Sequence, residues 1–317
     1  MLSRLAENLY WHGRYLERAE DLARLINVNT TLNLDLPAGL SAGWEPLIRI
    51  TGHATAFQAL GHQPNERQVV RFLLADEGNA GSLRATLQYA RENLRSARDL
   101  LPREVWEQMN ALYLKGEREL SGTLAKRRRQ DFLHELILDC QQIAGMLLGS
   151  MSQDHAYDFM LIGRYLERAD MTSRILEVRG YDLLPDASEE LTPYDSIQWM
   201  SVLKSLTAYQ MYRRHIRLRV SGNDVLRFLL RNEQFPRSVL FCLRAIEHLI
   251  HDLPADNDDA LRSVTGLQRR VHEVRLEGLR GQPLRELMDQ LQKELAETHG
   301  AISRSWFPLP APPGRPQ

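Results

Sequence analysis

Residues 13–24 read GRYLERAEDLAR, and residues 163–174 read GRYLERADMTSR. One charged dodecamer is written twice, 150 positions apart, and its reading decides the fold. On a helix of 3.6 residues per turn, Leu5, Leu9, Trp11, Tyr15, Leu16, Ala19, Leu22, Ala23 and Ile26 share one broad apolar face, the side expected to be buried. Arg14 and Arg18 lie near the edge of that face beside Trp11, with Glu7 one turn back. Glu17, Arg24 and Tyr10 share the opposite flank.

The repeat extends outward from the dodecamer. Trp44 opens WEPLIR and Trp199 opens WMSVLK, an offset of 155. VVRFLLADE (69–77) matches VLRFLLRNE (225–233), and Ser82-Leu83 matches Ser238-Val239, both at 156. LHEL (133–136) pairs with LREL (284–287). The matches keep their order while the offset drifts slightly, as an internal duplication would leave them. The reading is an all-α protein: a first helical half at 1–150, a second at 151–306, packed together as pseudo-equivalent bundles, and a proline-rich tail at 307–317 that lacks the pattern of a packed helix.

Periodicity places long helices near 3–33, 79–101, 125–150, 154–179, 191–216, 235–252, 258–278 and 282–305, with shorter ones near 43–60, 65–75, 103–120 and 222–231. Gly180 is expected just past the end of one of them. Composition agrees with a globular chain: of 317 residues, 43% are hydrophobic and 26% charged. The net charge of −1 lacks the basic excess of a nucleic-acid binder. The KRRR run at 126–129 reads as a solvated helix start. Cys140 and Cys242 sit in apolar helical stretches and read as buried, reduced thiols. The N-terminus lacks the apolar core of a signal peptide, and no 18-residue apolar run occurs, so the expected compartment is cytoplasmic, away from membranes.

The dodecamer's charges admit two readings. Arg14–Glu17 and Arg18–Asp21 are i,i+3 pairs and Glu20–Arg24 is i,i+4, which would be ordinary decoration of an exposed helix. In the second copy Asp21 becomes Met171, while Arg164, Glu167, Arg168, Asp170 and Arg174 remain. Arg168 therefore needs a partner outside its own helix: the matching helix, or a bound anion. The first gives an ion network registering the halves; the second gives a ligand or catalytic site, with Glu7, Glu17 and Glu167 as candidate acid/base groups.

A second arginine stripe, Arg84, Arg91, Arg95 and Arg98, follows the loop ADEGNAGS and Ser82; the second half carries Arg237 and Ser238 at the same place. Serine N-caps with a solvated basic face explain it, and so does an anion site at the helix start. There is no P-loop, no HExxH, no ExxH and no GxSxG, so the sequence offers no nucleotide, metal or covalent-catalysis signature, and no cofactor is expected.

Three blocks carry a family resemblance: AENLYWHGRYLERAEDLARLINV (6–28), ARENLRSARDLLPREVWEQMNALYL (90–114) and SMSQDHAYDFMLIGRYLERADMTSRIL (150–176). Together the chain resembles the bacterial alpha-E domain proteins, although that family usually has an aromatic residue where Ala156 sits and Pro-Ser or Ser-Ser near Ala80-Gly81-Ser82. The resemblance implies an all-helical domain encoded beside, or fused to, a circularly permuted ATP-grasp protein, often near a transglutaminase-like protein. It marks Glu7, Asn8, Trp11, Gly13, Arg14, Glu17, Arg18, Arg91, Asn93, Arg95, Arg98, Trp106, Asn110, Gly163, Arg164, Glu167, Arg168 and Asp170. The expectation is a non-ATPase component of an amide- or peptide-ligase system, using these arginines, with Asn8, Trp11, Asn93, Ser82 and Ser238, to hold an anionic peptide-like substrate or the ligase. The alternatives are an enzyme with a carboxylate acid/base in a cleft between the halves, and a scaffold recruiting partners through WFPLPAPP (306–313). Oligomerisation is left open.

Overall fold

The computed structural model describes residues 3–36, 41–120, 126–181, 192–216, 219–254 and 257–307. Among them the chain forms α-helices and one short 3-10 turn at Arg98–Leu100, with no strand. The first series is α1 (Ser3–Asp35), α2 (Glu45–Ile50), α3 (Ala54–Ala59), α4 (Glu66–Ala75), α5 (Leu83–Ser96), α6 (Arg103–Leu120) and α7 (Lys126–Ser150). The second is α8 (His155–Tyr181), α9 (Thr192–Ser205), α10 (Tyr209–His215), α11 (Gly222–Arg231), α12 (Val239–Asp252), α13 (Asp258–Glu273) and α14 (Gly281–Trp306). The order of long and short helices in the second series follows that of the first. No helix among the described residues is long and apolar enough to cross a membrane.

The local signals recur at matching positions. Asn65 and Ser221 cap α4 and α11, accepting from the backbone N–H groups of Gln68 and Asp224. Ser82 and Ser238 cap α5 and α12 in the same way, accepting from Ala85 and Phe241. These caps move two helix starts inward: the helices expected from residues 79 and 235 begin at Leu83 and Val239. Each expected continuous helix at 43–60 and 191–216 is broken in two. Gly52 (φ +75°) and Thr207 (φ +54°) adopt left-handed backbone at corresponding positions and turn the chain between α2 and α3, and between α9 and α10. Gly180 does not end α8 as expected. It lies inside the last turn, where a Cβ would stand 2.5 Å from Leu284 Cδ2.

Helices α1 and α8 are the axis of the molecule. They run side by side in the same sense, from Gly13 beside Met160 to Asn29, which accepts from Arg179. At the crossing the two backbones touch. A Cβ on Gly13 would stand 2.1 Å from Met160 O, and one on Gly163 2.1 Å from Tyr10 O. The glycine that heads each dodecamer is thus what allows the approach.

Around this pair, α5 and α7 pack on α1, while α12 and α14 pack on α8. The shorter helices cross over: α2 packs on α8 and α9 on α1. One contiguous apolar core links residues of both halves, from Leu9 and Ile26 through Ile162 and Leu176 to Leu243 and Ile302. Helix α1 is consequently buried on more than its apolar face. Tyr10, Glu17, Glu20 and Asp21, read from the pattern as flank or surface, all lie inside, as does His12.

Two other expectations change. Arg129 of the KRRR run is buried, pairs with Glu66 at 2.5 Å and lies over the Trp44 ring. Trp306 and Phe307 are packed: the Trp306 Nε1–H donates to Pro254 O at 2.8 Å, and Phe307 lies against Tyr10. That takes the first two residues of WFPLPAPP out of any extended recognition segment. Residues 308–317 lie outside the described residues.

Candidate functional site

The two dodecamers meet face to face, and their charges pair crosswise. Glu167 accepts from Arg14 Nε at 2.7 Å and from Arg18 through Nε at 2.5 Å and Nη2 at 3.0 Å. Glu17 accepts from Arg164 Nε at 2.9 Å and Arg168 Nε at 2.8 Å. The local Arg14–Glu17 and Arg18–Asp21 pairs do not form, because Glu17 points at the opposite helix and Asp21 at Arg237, before α12. Glu20–Arg24 pairs as the helix spacing predicts, at 2.6 Å, and so does its counterpart Asp170–Arg174, at 2.9 Å. Both glutamates are almost wholly buried, at 2% and 1% exposed.

Arg237, which the sequence places beside Ser238 at a helix start, completes one side. Arg237, in the turn just before α12, reaches Glu17 at 2.7 Å, Glu20 at 3.0 Å and Asp21 at 2.7 Å. It is buried, and its position was legible as an arginine set against Gly81, one residue before matched serine caps. Cross-linking three carboxylates, it closes the cluster on the α12 side.

The electrostatics follow from these contacts. Burial opposes ionisation of Glu17 and Glu167, but the facing guanidiniums outweigh it. Arg168, Arg237 and Arg164 hold Glu17 well below the usual carboxylate range, and Arg18 with Arg14 holds Glu167 at about 2. Asp21 goes the other way, to about 7, because burial and the neighbouring Glu17 and Glu20 outweigh Arg237. Its Oδ2 has no hydrogen-bond partner, as suits a carboxylic acid near neutrality. A general base works best with a pKa near the working pH. Glu17 and Glu167 are instead strongly ionised counter-ions.

Two clefts flank the network. One, of about 120 Å³, lies beside Glu17, Arg164, His12 and Cys140. His12 bonds Ala90 O through Nδ1 at 2.9 Å, and burial pushes its imidazole down to about 4. Both cysteines are free and buried, and burial raises both thiols, Cys242 to about 12. The other cleft, of about 220 Å³, is lined by Arg18, His53, Gly81, Glu167, Asp170 and Arg174, among others.

The remaining sequence candidates do not converge on this centre. Arg91 lies between Trp106 and Tyr113 and donates to Asn110 Oδ1 at 2.7 Å, tying α5 to α6. Arg95 pairs with Glu92, and Arg98 projects from the surface beside Asp99. Ser82 and Ser238 serve as helix caps. Asn8 donates to Ser96 Oγ, whose own hydroxyl donates to Asn93 O, linking α1 to α5. Trp11 stacks on Tyr15 and carries the Arg14 guanidinium 5.3 Å above its ring. Glu7 is half-buried and outside the network. Among the described residues, no three His, Cys, Asp or Glu side chains are grouped to hold a metal ion.

Residues 1–307 match the profile of Alpha-E, described as an alpha-helical domain with a conserved ER motif. The chain belongs to the Alpha-E family. It has four Glu-Arg dipeptides, at 17–18, 66–67, 117–118 and 167–168, and two of them, Glu17-Arg18 and Glu167-Arg168, form the crossed centre of this Alpha-E fold. An uncharacterised protein of Mycobacterium bovis is 25% identical over 340 residues, covering 97% of this chain and 37% of its own length. A Mycobacterium tuberculosis protein, also uncharacterised, is 24% identical with the same coverage. The Alpha-E chain thus spans well under half the length of these curated relatives. No solved structure matches it.

Proposed function

We propose that this Alpha-E chain is the non-ATPase component of an ATP-grasp amide- or peptide-ligase system, binding the ligase and an anionic, peptide-like substrate. The observation that carries the reading is how the central carboxylates are used. Glu17 and Glu167 orient five arginines and stay ionised, so the centre is built to position cations rather than to move protons. Arginines held in this way suit carboxylate and phosphoryl groups, the groups that an ATP-dependent ligase handles. The longer mycobacterial relatives support the association, because more than half of each lies outside the matched region and leaves room for a fused partner. A circularly permuted ATP-grasp protein is the proposed partner, with a transglutaminase-like protein as a further one.

The test is direct. The purified chain is mixed with a purified circularly permuted ATP-grasp protein from the same organism, and the mixture is followed by size-exclusion chromatography and ATP turnover. A stable complex or a changed turnover is expected. Two independent elution peaks with unchanged turnover would overturn the reading.

A further inference from the structure

The two halves are not equivalent where it matters most. In the second half, Arg237 fills the space beside Glu17, Glu20 and Asp21. At the corresponding place the first half has Gly81, at the 156-residue offset. The carboxylate trio Glu17, Glu20 and Asp21 of the first dodecamer corresponds to Glu167, Asp170 and Met171 of the second, so one acid is gone as well. His53, corresponding to Ala208, has moved in: a Cβ on Gly81 would stand 2.1 Å from its Cε1. What remains is the cleft of about 220 Å³.

The chemistry of that cleft is set by what is left unpaired. Hydrogen bonds occupy Nε and Nη2 of Arg18 and only Nε of Arg174. Both arginine side chains are partly exposed, at 29% and 32%. His53 Nδ1 is buried without a hydrogen-bond partner. On the acceptor side, both Glu167 oxygens already receive bonds and Asp170 Oδ2 receives Arg174. The cleft therefore presents more donors than acceptors. Glu167 is shared between Arg18 and Arg14, the latter outside the cleft, and Asp170 is held by Arg174, so the ion cluster behind the cleft carries a surplus of one positive charge. Burial, then Arg18 and Arg174, also depress the His53 imidazole, which marks a place that resists a further cation.

We infer that the cleft between Arg18, His53, Gly81 and Arg174 binds an oxyanion, a carboxylate or phosphoryl group, and that Arg237 closes the corresponding place in the second half. The ligand's negative charge offsets the surplus, and its oxygens take the free N–H groups of Arg18 and Arg174. This deepens the proposed substrate role: it makes the chain a one-site rather than a two-site binder. It rests on that reading only for the identity of the natural ligand.

The test needs no ligase, so its outcome is independent of the complex described above. Inorganic phosphate and N-acetylglutamate are titrated into the full chain by calorimetry, with the His53 ring followed by NMR and arginine amide as the cationic control. One-to-one binding of phosphate or N-acetylglutamate is expected, with the tighter probe naming the group. In Arg174→Gln the affinity should fall about tenfold or more, the loss of a charge-assisted hydrogen bond. The pair His53→Ala with Gly81→Arg recreates the second half's arrangement and should abolish binding. Arg174→Gln keeps the question open to refutation even where the double variant folds poorly. The inference fails where neither anion binds, where arginine amide binds in preference, or where Arg174→Gln binds as the wild type does.

Discussion

The Arg237 side and the His53 side of this molecule are built on the same helical frame and differ in what occupies one space. On one side a buried guanidinium ties together Glu17, Glu20 and Asp21. On the other a glycine and an imidazole border a cleft, and the nearby arginines keep unpaired N–H groups. Under the anion-binding inference, the contrast separates stability from binding between two matching series of helices. One copy satisfies its charges internally and becomes structural. The other leaves them partly unsatisfied and remains open to solutes.

The largest effect should come from removing the internal guanidinium. Arg237→Ala removes a guanidinium shared by three buried carboxylates and leaves Asp21 without its partner; it should cost about 3–5 kcal/mol, whereas Arg174→Ala, in the open cleft, should cost about 1 kcal/mol or less. Urea unfolding of the two variants checks the gap; equal losses would erase the distinction between the sides. Next come the glycines at the helix crossing, where the halves should behave alike. Gly13→Ala and Gly163→Ala each force a Cβ onto a carbonyl of the opposite helix. Both should lose about 1–3 kcal/mol or more, and a tolerated substitution at either would show that the backbones do not touch.

Acid and base should act on different members of the network. Glu17 and Glu167 titrate low when folded, so the stability they give is present above about pH 4.3 and is lost as pH falls toward 2. Asp21 is raised to about 7 when folded, so the folded state keeps a proton that the unfolded chain gives up. Its contribution is therefore lost as pH rises from about 4 to about 7. Wild-type stability should decline across that window, and Asp21→Asn should flatten the decline without changing the acid limb. Unfolding curves at several pH values would reveal a persisting slope in Asp21→Asn, which the assignment to Asp21 could not survive.

The smallest effects concern the paired helix breaks. Thr207 carries a left-handed backbone that costs a β-branched residue about 1–2 kcal/mol, partly offset by the entropy of a glycine in the unfolded chain. Thr207→Gly should stabilise by about 1 kcal/mol or less. Gly52→Ala should destabilise by about 1 kcal/mol, since its added Cβ meets Arg174 as well as the strained φ. Same-sign shifts in thermal melting would contradict the matched geometry.

Much of this architecture is legible in the sequence because helix packing repeats where the apolar pattern repeats. The all-helical fold and the α1–α8 pairing follow from GRYLERA. The replacement of Asp21 by Met171 directs Arg168 outside its own helix, and it pairs with Glu17. The breaks at Gly52 and Thr207 were hidden because the apolar period continues through both turns. The place of Arg237 is legible, but its inward contacts are hidden for a different reason. It sits in a loop, where no periodicity marks an inward side chain, and its meaning appears only when its volume is set against Gly81 and His53. Arg95 and Arg98 were equally prominent in the pattern, yet they belong to the solvent-facing side of α5 and the turn after it.

The crossed pairing at the centre has a consequence for how the polypeptide is made. A fragment that stopped at Ser150 would enclose Glu17 and Asp21 without the guanidiniums of Arg164, Arg168 and Arg237. The complementary fragment would enclose Glu167 without Arg14 and Arg18. Neither piece is electrically whole, so during synthesis the leading segment must wait for the trailing one before its interior can close.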